Sequence, residues 1–275
     1  MVDCSIIDKT DYWRSYQQSI EACFREIATQ LGLQEDVPLH IDGFFLTHAH
    51  HDHYSGLEYL IRNHLIDDRT LCYINIYYQM ASKAYIKTLK ALANSNVKII
   101  EPLAGHSNHV IRFLHPECRI FRSKATVRQA SGNYRVVGNP VNNSSAVVMI
   151  SLGGHSMVFP GDLEEKGFDA MSSAGTCSRW LFDSDYYAVS HHGSINGHAD
   201  RPCLRRPMGY WGATPLQCAA NRVNKAILMG RDRAYSGIYS HAVVSCWDGR
   251  GVLAKSEDAS HFLVLEWETG STALY

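Results

Sequence analysis

The chain has 275 residues, 45% of them hydrophobic, and a formal net charge of −1; that is enough to bury a sizeable core as one α/β domain over residues 1–275. The near-neutral balance excludes a general attraction to nucleic acid, so such a partner has to be sought in local patches. No apolar run reaches the length of a membrane span, and Met1-Val2-Asp3-Cys4 does not open a signal peptide; the eight cysteines, none in a Cys-x-x-Cys pair, suit buried free thiols in a reducing cytoplasm.

Asp11 to Leu31 predicts an amphipathic helix, with Trp13, Tyr16, Ile20, Cys23, Phe24, Ile27 and Leu31 at helical spacing and Thr10 as its cap. Such a stripe reads as core packing rather than ligand contact. Ile41 to Leu46 predicts a short buried strand that ends in His48-Ala49-His50-His51-Asp52-His53. Two apart in near-extended backbone, His48 and His50 leave the same face and can grip one ion. Asp52 and His53 follow on the turn, free to point at a second ion. Imidazole and carboxylate suit zinc, with manganese and iron as alternatives. Ser55 with Glu58 forms a capping box, and Leu57, Leu60, Ile61 and Leu65 make one apolar face, so the turn is clamped between a strand and a helix. Isolated histidines are ordinary surface residues; this spacing at a strand end, before a capped helix, points to metal.

Leu71 to Ile76 predicts a strand, Ala81 to Ala93 a helix and Val97 to Ile100 a strand, the alternation of a layered α/β fold. Short strands follow from Val110 to Arg122. A loop bearing Arg119, Arg122, Lys124, Arg128 and Arg135 suits either plain solvation or phosphate steering. Asn142-Asn143-Ser144-Ser145 leads into a strand, Ala146 to Leu152, which Gly153-Gly154 turns into Met157-Val158-Phe159 as a hairpin. Asp162 falls just past the hairpin exit, and a carboxylate there can bridge two metals through its two oxygens.

Tyr186 to Val189 predicts a strand ending in Ser190-His191-His192-Gly193-Ser194, whose adjacent histidines point in different directions, so that one can bind metal while the other faces substrate. Arg201, Arg205, Arg206, Arg222, Lys225, Arg231 and Arg233, with Tyr210 and Trp211 among them, suit a nucleic-acid or phosphate-rich ligand, and equally a solvated region. Ala226 to Met229, Ala242 to Ser245 and Phe262 to Trp267 predict closing strands, with turns at Gly230, Gly237 and Gly249-Arg250-Gly251.

Together, His-x-His-x-Asp-His, Asn-x-x-Ser before the hairpin, Gly-Asp-Leu-Glu and Ser-His-His-Gly-Ser resemble the signature of the metallo-β-lactamase superfamily of binuclear metallohydrolases. Within it they are similar to the hydrolase domain of ComEC-type competence proteins and to bacterial phosphorylcholine esterases, over about residues 2–267. The resemblance implies an αββα sandwich. Such domains open with a strand hairpin before the element that Val2-Asp3-Cys4 resembles, so the N-terminal strands are expected to be truncated, with a protein partner or upstream domain at that edge or an edge left open.

The resemblance also implies two divalent ions, zinc with manganese as the alternative. His48 and His50 would hold metal one, Asp52, His53 and His191 metal two, and Asp162 would bridge them. Asn142 stands where many members place a further histidine, which leaves one site weak unless His106, His109 or His115 reaches in. The implied chemistry is that of a phosphodiesterase or nuclease using a metal-bridging hydroxide. Asp52 would orient the water, and His192 with Ser194, beside Asn142, would meet phosphate oxygens or protonate the leaving group. The alternatives are hydrolysis of a smaller ester, thioester or amide, and a non-catalytic metal-stabilised module in a larger assembly.

Overall fold

The computed structural model describes residues 1–6, 13–33, 39–74, 82–100, 109–112, 117–122, 141–164, 167, 184–197, 223–230, 238–249, 251–259, 263–267 and 269–274. They form two compact units, residues 1–101 with 259–263 and 274–275, and residues 102–258 with 264–273. Both are mixed α/β in character. Among the described residues no helix is long and apolar enough to cross a membrane.

In the first unit, helix α1 (Trp13–Gln30) precedes strand β1 (Gly43–Phe45), the short helices α2 (His51–Tyr54) and α3 (Leu57–Arg62), strand β2 (Leu71–Tyr73), helix α4 (Lys83–Asn94) and strand β3 (Lys98–Ile100). The strands pair parallel in the order β1-β2-β3, with Phe44 opposite Cys72 and Cys72 opposite Ile99. Helical crossovers make that parallel order possible, because parallel neighbours need a long connection. Phe44, Leu46, Leu57, Leu60, Cys72, Ile74 and Leu92 are buried, and Phe45 stacks on Tyr73 with ring centroids 4.8 Å apart. The segment Met1-Val2-Asp3 runs beside β1: Val2 bridges Phe45 in parallel, and Asp3 N–H donates to the Phe45 carbonyl at 2.9 Å.

Several expectations change here. The capping box does not form. Ser55 closes α2, and Gly56 precedes α3 without a side-chain cap. The Ser55 hydroxyl instead accepts from Ile6 N–H at 3.1 Å, and Glu58 pairs with Lys87 at 3.0 Å. Cys4 also approaches closely: Gly56 N–H donates to the Cys4 carbonyl at 2.9 Å, and a Cβ at position 56 would collide with Cys4 Sγ. The stripe of α1 is not core either, since Ile27 and Leu31 are exposed and Cys23 and Phe24 only half-buried. Thr10 and Asp11, and the side chains of Trp13 and Tyr16, lie outside the described residues. Helix α4 begins after Ser82, whose hydroxyl accepts from Tyr85 N–H at 3.0 Å as a regular N-cap.

The second unit is built on a seven-stranded sheet of β4 (His109–Arg112), β5 (Glu117–Arg122), β6 (Ala146–Leu152), β7 (His155–Phe159), β8 (Tyr186–Ala188), β9 (Lys225–Leu228) and β10 (Leu253–Lys255), in the order β10-β9-β8-β7-β6-β5-β4. Pairing is antiparallel from β4 to β7 and parallel from β7 to β10. The expected hairpin is present as β6–β7. Gly153 (φ 59) and Gly154 (φ 87) both take the left-handed conformation that a two-residue hairpin turn requires. Val147, Val158, Tyr187, Ala226, Leu228, Val243 and Trp247 form one buried cluster, in which Tyr187 and Trp247 stack at 5.7 Å.

The predicted strand Ala242 to Ser245 is instead helix α5 (His241–Asp248). Val243, Val244 and Trp247 bury one helical face, and a short apolar run cannot separate that pattern from a strand until its partner is known. Arg119 and Arg122 sit in β5 rather than in a loop, while Lys124, Arg128 and Arg135 lie outside the described residues. Of the second basic group only Lys225 is described, at the start of β9. A last hairpin pairs β11 (Leu263–Leu265) with β12 (Thr272–Leu274), within the stretch expected to close the fold.

Gly56→Ala is expected to destabilise the chain by about 1–3 kcal/mol in urea unfolding, and Cys4→Ala in the same chain to recover part of that loss. Burial, with Asp3 adding to it at Cys4, pushes the Cys4 thiol up to about 12, and burial does the same to Cys72. Brief alkylation at pH 8 mapped by mass spectrometry should therefore leave both unmodified until the protein unfolds.

Candidate metal centre

In the first unit the histidine turn is organised by one carboxylate. Asp3 Oδ1 accepts Thr47 N–H at 2.8 Å, and its Oδ2 accepts the Thr47 hydroxyl at 2.7 Å and His53 Nδ1–H at 2.8 Å. The Thr47 hydroxyl has then given its only hydrogen to Asp3, so towards His48 Nδ1, 3.0 Å away, it can only accept. His48 therefore carries its hydrogen on Nδ1 and presents Nε2 as a lone pair, 3.0 Å from His50 Nδ1. The same reasoning fixes His53: Nδ1–H is held by Asp3, and Nε2 faces Asp52 Oδ2 at 4.0 Å. A carboxylate behind an imidazole is the arrangement that sets a metal ligand's tautomer and raises its basicity.

Local folding delivers these groups. Leu46 N–H donates to the Tyr73 carbonyl at 2.9 Å, carrying the β1 direction up to Thr47, and Cys4 N–H donates to the His53 carbonyl at 2.8 Å. His48 and His53 are buried with ring centroids 4.1 Å apart, while His50 and Asp52 are half-buried. The ligating atoms of His48 and His50 come within 4.8 Å of each other, as do those of Asp52 and His53. His51 turns outward and packs against the Tyr54 ring at 5.2 Å, apart from this set. Lone-pair nitrogens beside a carboxylate are the donor chemistry that a divalent ion such as zinc requires.

In the second unit Asp162 sits just past the exit of β7, buried to 3% exposure, with its N–H donating to Ser145 Oγ at 3.2 Å. Ser190 Oγ donates to the Leu163 carbonyl at 2.7 Å, and His191 N–H to the Gly161 carbonyl at 3.0 Å, tying the histidine doublet to the aspartate turn. His191 (φ 51) and His192 (φ 52) are both left-handed. Such a conformation costs a non-glycine residue on the order of 1–3 kcal/mol and collects at functional sites.

His192 Nδ1 donates to the Met229 carbonyl at 2.6 Å, which leaves Nε2 facing Asp162 Oδ1 at 3.5 Å. Gly230 permits this, since a Cβ there would lie 2.9 Å from the His192 carbonyl oxygen. His191 Nε2 lies 3.7 Å from Asp162 Oδ2 and 3.3 Å from Asn142 Nδ2. Asn142 is buried and also donates to Glu164 at 3.0 Å, while Ser194 is buried with its hydroxyl accepting Asn196 N–H at 3.4 Å. His106 and His115 lie outside the described residues, as does the side chain of His109.

Sequence reasoning missed the roles of Asp3, Thr47 and Glu164 and of the Met229 carbonyl at the predicted Gly230 turn. Val2-Asp3-Cys4 and Gly-Asp-Leu-Glu stood out as motifs, yet nothing in them states which histidine or asparagine they would meet.

No family model matches the chain, and no curated protein matches it. Among solved structures it is similar to Zn2+-bound PqqB from Methylobacterium extorquens, at 14% identity over 92% of this chain and 80% of that one, with a TM-score of 0.49. It is also similar to a CmlA β-hydroxylase (15% identity, 81% of this chain and 44% of that one, TM-score 0.46) and to the metallo-β-lactamase fold protein YhfI from Bacillus subtilis (13%, 68% and 57%, TM-score 0.37). The chain thus spans about half the length of the latter two.

If Asp3 sets the tautomers of His48 and His53, Asp3→Ala should weaken zinc binding by about 10–100-fold in chelator competition, with far-UV circular dichroism unchanged.

Proposed function

We propose that the chain is a metal-dependent hydrolase of the metallo-β-lactamase type and that it cleaves phosphodiesters, with nucleic acid as the substrate class. In this reading His48, His50, Asp52 and His53 in the first unit, and Asp162 with the doublet in the second, are the side chains that would hold divalent ions, zinc or manganese. The observation that carries it is the hydrogen-bond polarity around Asp3, which leaves the Nε2 atoms of His48 and His53 as lone pairs. A tautomer fixed from behind by a carboxylate is what a ligating histidine almost always has.

Bound there, divalent ions lower the pKa of water from about 15.7 towards about 7 and neutralise charge on a phosphoryl group. Asp52, half-exposed at the start of α2, and Asp162, buried just past β7, would supply carboxylate oxygens to such ions, and Asp52 would orient a water activated there. The Met229 carbonyl supports His192 as the doublet's ligand, in the place expected for His191, because it fixes His192 with Nε2 towards Asp162. His191 lies beside the other oxygen of that carboxylate and within hydrogen-bond distance of Asn142.

Metal analysis of the purified chain, paired with hydrolysis of bis(p-nitrophenyl) phosphate and of single- and double-stranded DNA, tests this directly. Bound metal and manganese- or zinc-dependent turnover are expected, and Asp162→Asn or His50→Ala should abolish both. Wild-type rates in either variant would overturn the mechanism. Turnover confined to thioesters or lactams, or stoichiometric metal with no turnover, would overturn the phosphodiester assignment.

A further inference from the structure

Glu164 lies two residues beyond Asp162 and has no role in the chemistry above. Its Oε1 accepts Asn142 Nδ2–H at 3.0 Å and its Oε2 accepts Asn143 Nδ2–H at 3.1 Å. With both oxygens accepting, the orientation of the Asn142 amide is settled: turned over, it would set its carbonyl oxygen against a carboxylate oxygen. The second hydrogen of the same Asn142 nitrogen is available to His191 Nε2, 3.3 Å away. A ring nitrogen that receives an N–H cannot carry a hydrogen of its own.

His191 has little freedom to escape this contact. Its N–H is held by the Gly161 carbonyl at 3.0 Å, and its carbonyl by Ser194 N–H at 2.8 Å. Gly197 packs so closely that a Cβ there would lie 2.8 Å from His191 Cβ. His191 Nδ1 is buried with no hydrogen-bond partner among the described residues, so the contacts at Nε2 separate the two tautomers: the Asn142 amide, at 3.3 Å, is within hydrogen-bond distance, whereas Asp162 Oδ2, at 3.7 Å, is beyond it.

We infer that Glu164 is a positioning residue: through the Asn142 amide it holds His191 in the Nδ1–H tautomer, with Nε2 kept as a lone pair beside Asp162. The consequence for chemistry rests on the function proposed above. An Nε2 that accepts the Asn142 N–H carries no hydrogen and cannot donate to a phosphate oxygen; it can take a cation or an O–H hydrogen only where that amide hydrogen gives way.

The test uses the full chain labelled with 15N-histidine, metal-free and metal-loaded, with long-range 1H–15N correlations reading each ring's tautomer and a His191→Asn spectrum giving the assignment. Wild-type His191 should show the Nδ1–H pattern without metal. Glu164→Gln should mix the tautomers and lower both melting temperature and kcat. The pair Asn142→Asp with Glu164→Gln restores a hydrogen bond between the two positions and keeps an acceptor for Asn143, but sets an oxygen against His191 Nε2. It should recover the melting temperature yet move His191 to the Nε2–H tautomer, with kcat about 10–100-fold lower and KM little changed.

An Nε2–H pattern in the wild type would overturn the inference, as would a double variant that keeps the wild-type tautomer and kcat. The wild-type spectrum needs neither a folded variant nor turnover, so this inference and the proposed hydrolase activity can fail separately.

Discussion

The contact on which the first histidine set depends is that of Asp3 with Thr47 and His53. One carboxylate takes a backbone N–H, a hydroxyl and an imidazole N–H, at 2.7 to 2.8 Å. Because it can only accept, it decides the direction of every hydrogen bond behind it, through Thr47 to His48 and directly to His53. Burial strengthens the effect, since a low local dielectric makes a wrongly directed hydrogen bond costly. The backbone serves the same end: Met1-Val2-Asp3 pairs along β1, and Cys4 closes on Gly56 so tightly that only glycine fits.

The second set is held by a different device. There the main chain takes two consecutive left-handed histidines, and the surrounding hydrogen bonds hold it in that conformation. Gly161 accepts from His191, His191 accepts from Ser194, and Gly193 accepts from Ser240. The turn at Met229-Gly230 then fixes the ring of His192, and the Asn142–Glu164 pair does so for His191. Strain of this kind survives only where packing over-determines it, and here it lies beside the buried Asp162.

Where the sequence reading and the structure part, the cause is the same each time. The capping box at Ser55 failed because the Ser55 hydroxyl accepts from Ile6 N–H, some fifty residues earlier, and Glu58 pairs with Lys87. Ala242 to Ser245 became part of a helix because Trp247, just beyond the run, carries the apolar face onto Tyr187. Ile27 and Leu31 followed helical spacing faithfully and still stayed exposed, since periodicity states which side a residue is on and not what covers it.

The histidine spacing at residues 48–53, the β6–β7 hairpin with its Gly-Gly turn, the aspartate at its exit and the histidine doublet after β8 were all legible in the sequence, because each is a local property of a few consecutive residues. Which partner fixes each ring was decided only by the tertiary structure. Asp3 is 44 residues from Thr47, Met229 is 37 from His192 and Glu164 is 22 from Asn142. A tautomer is set by which atom lies within about 3 Å of a nitrogen, and only the folded chain brings those atoms together.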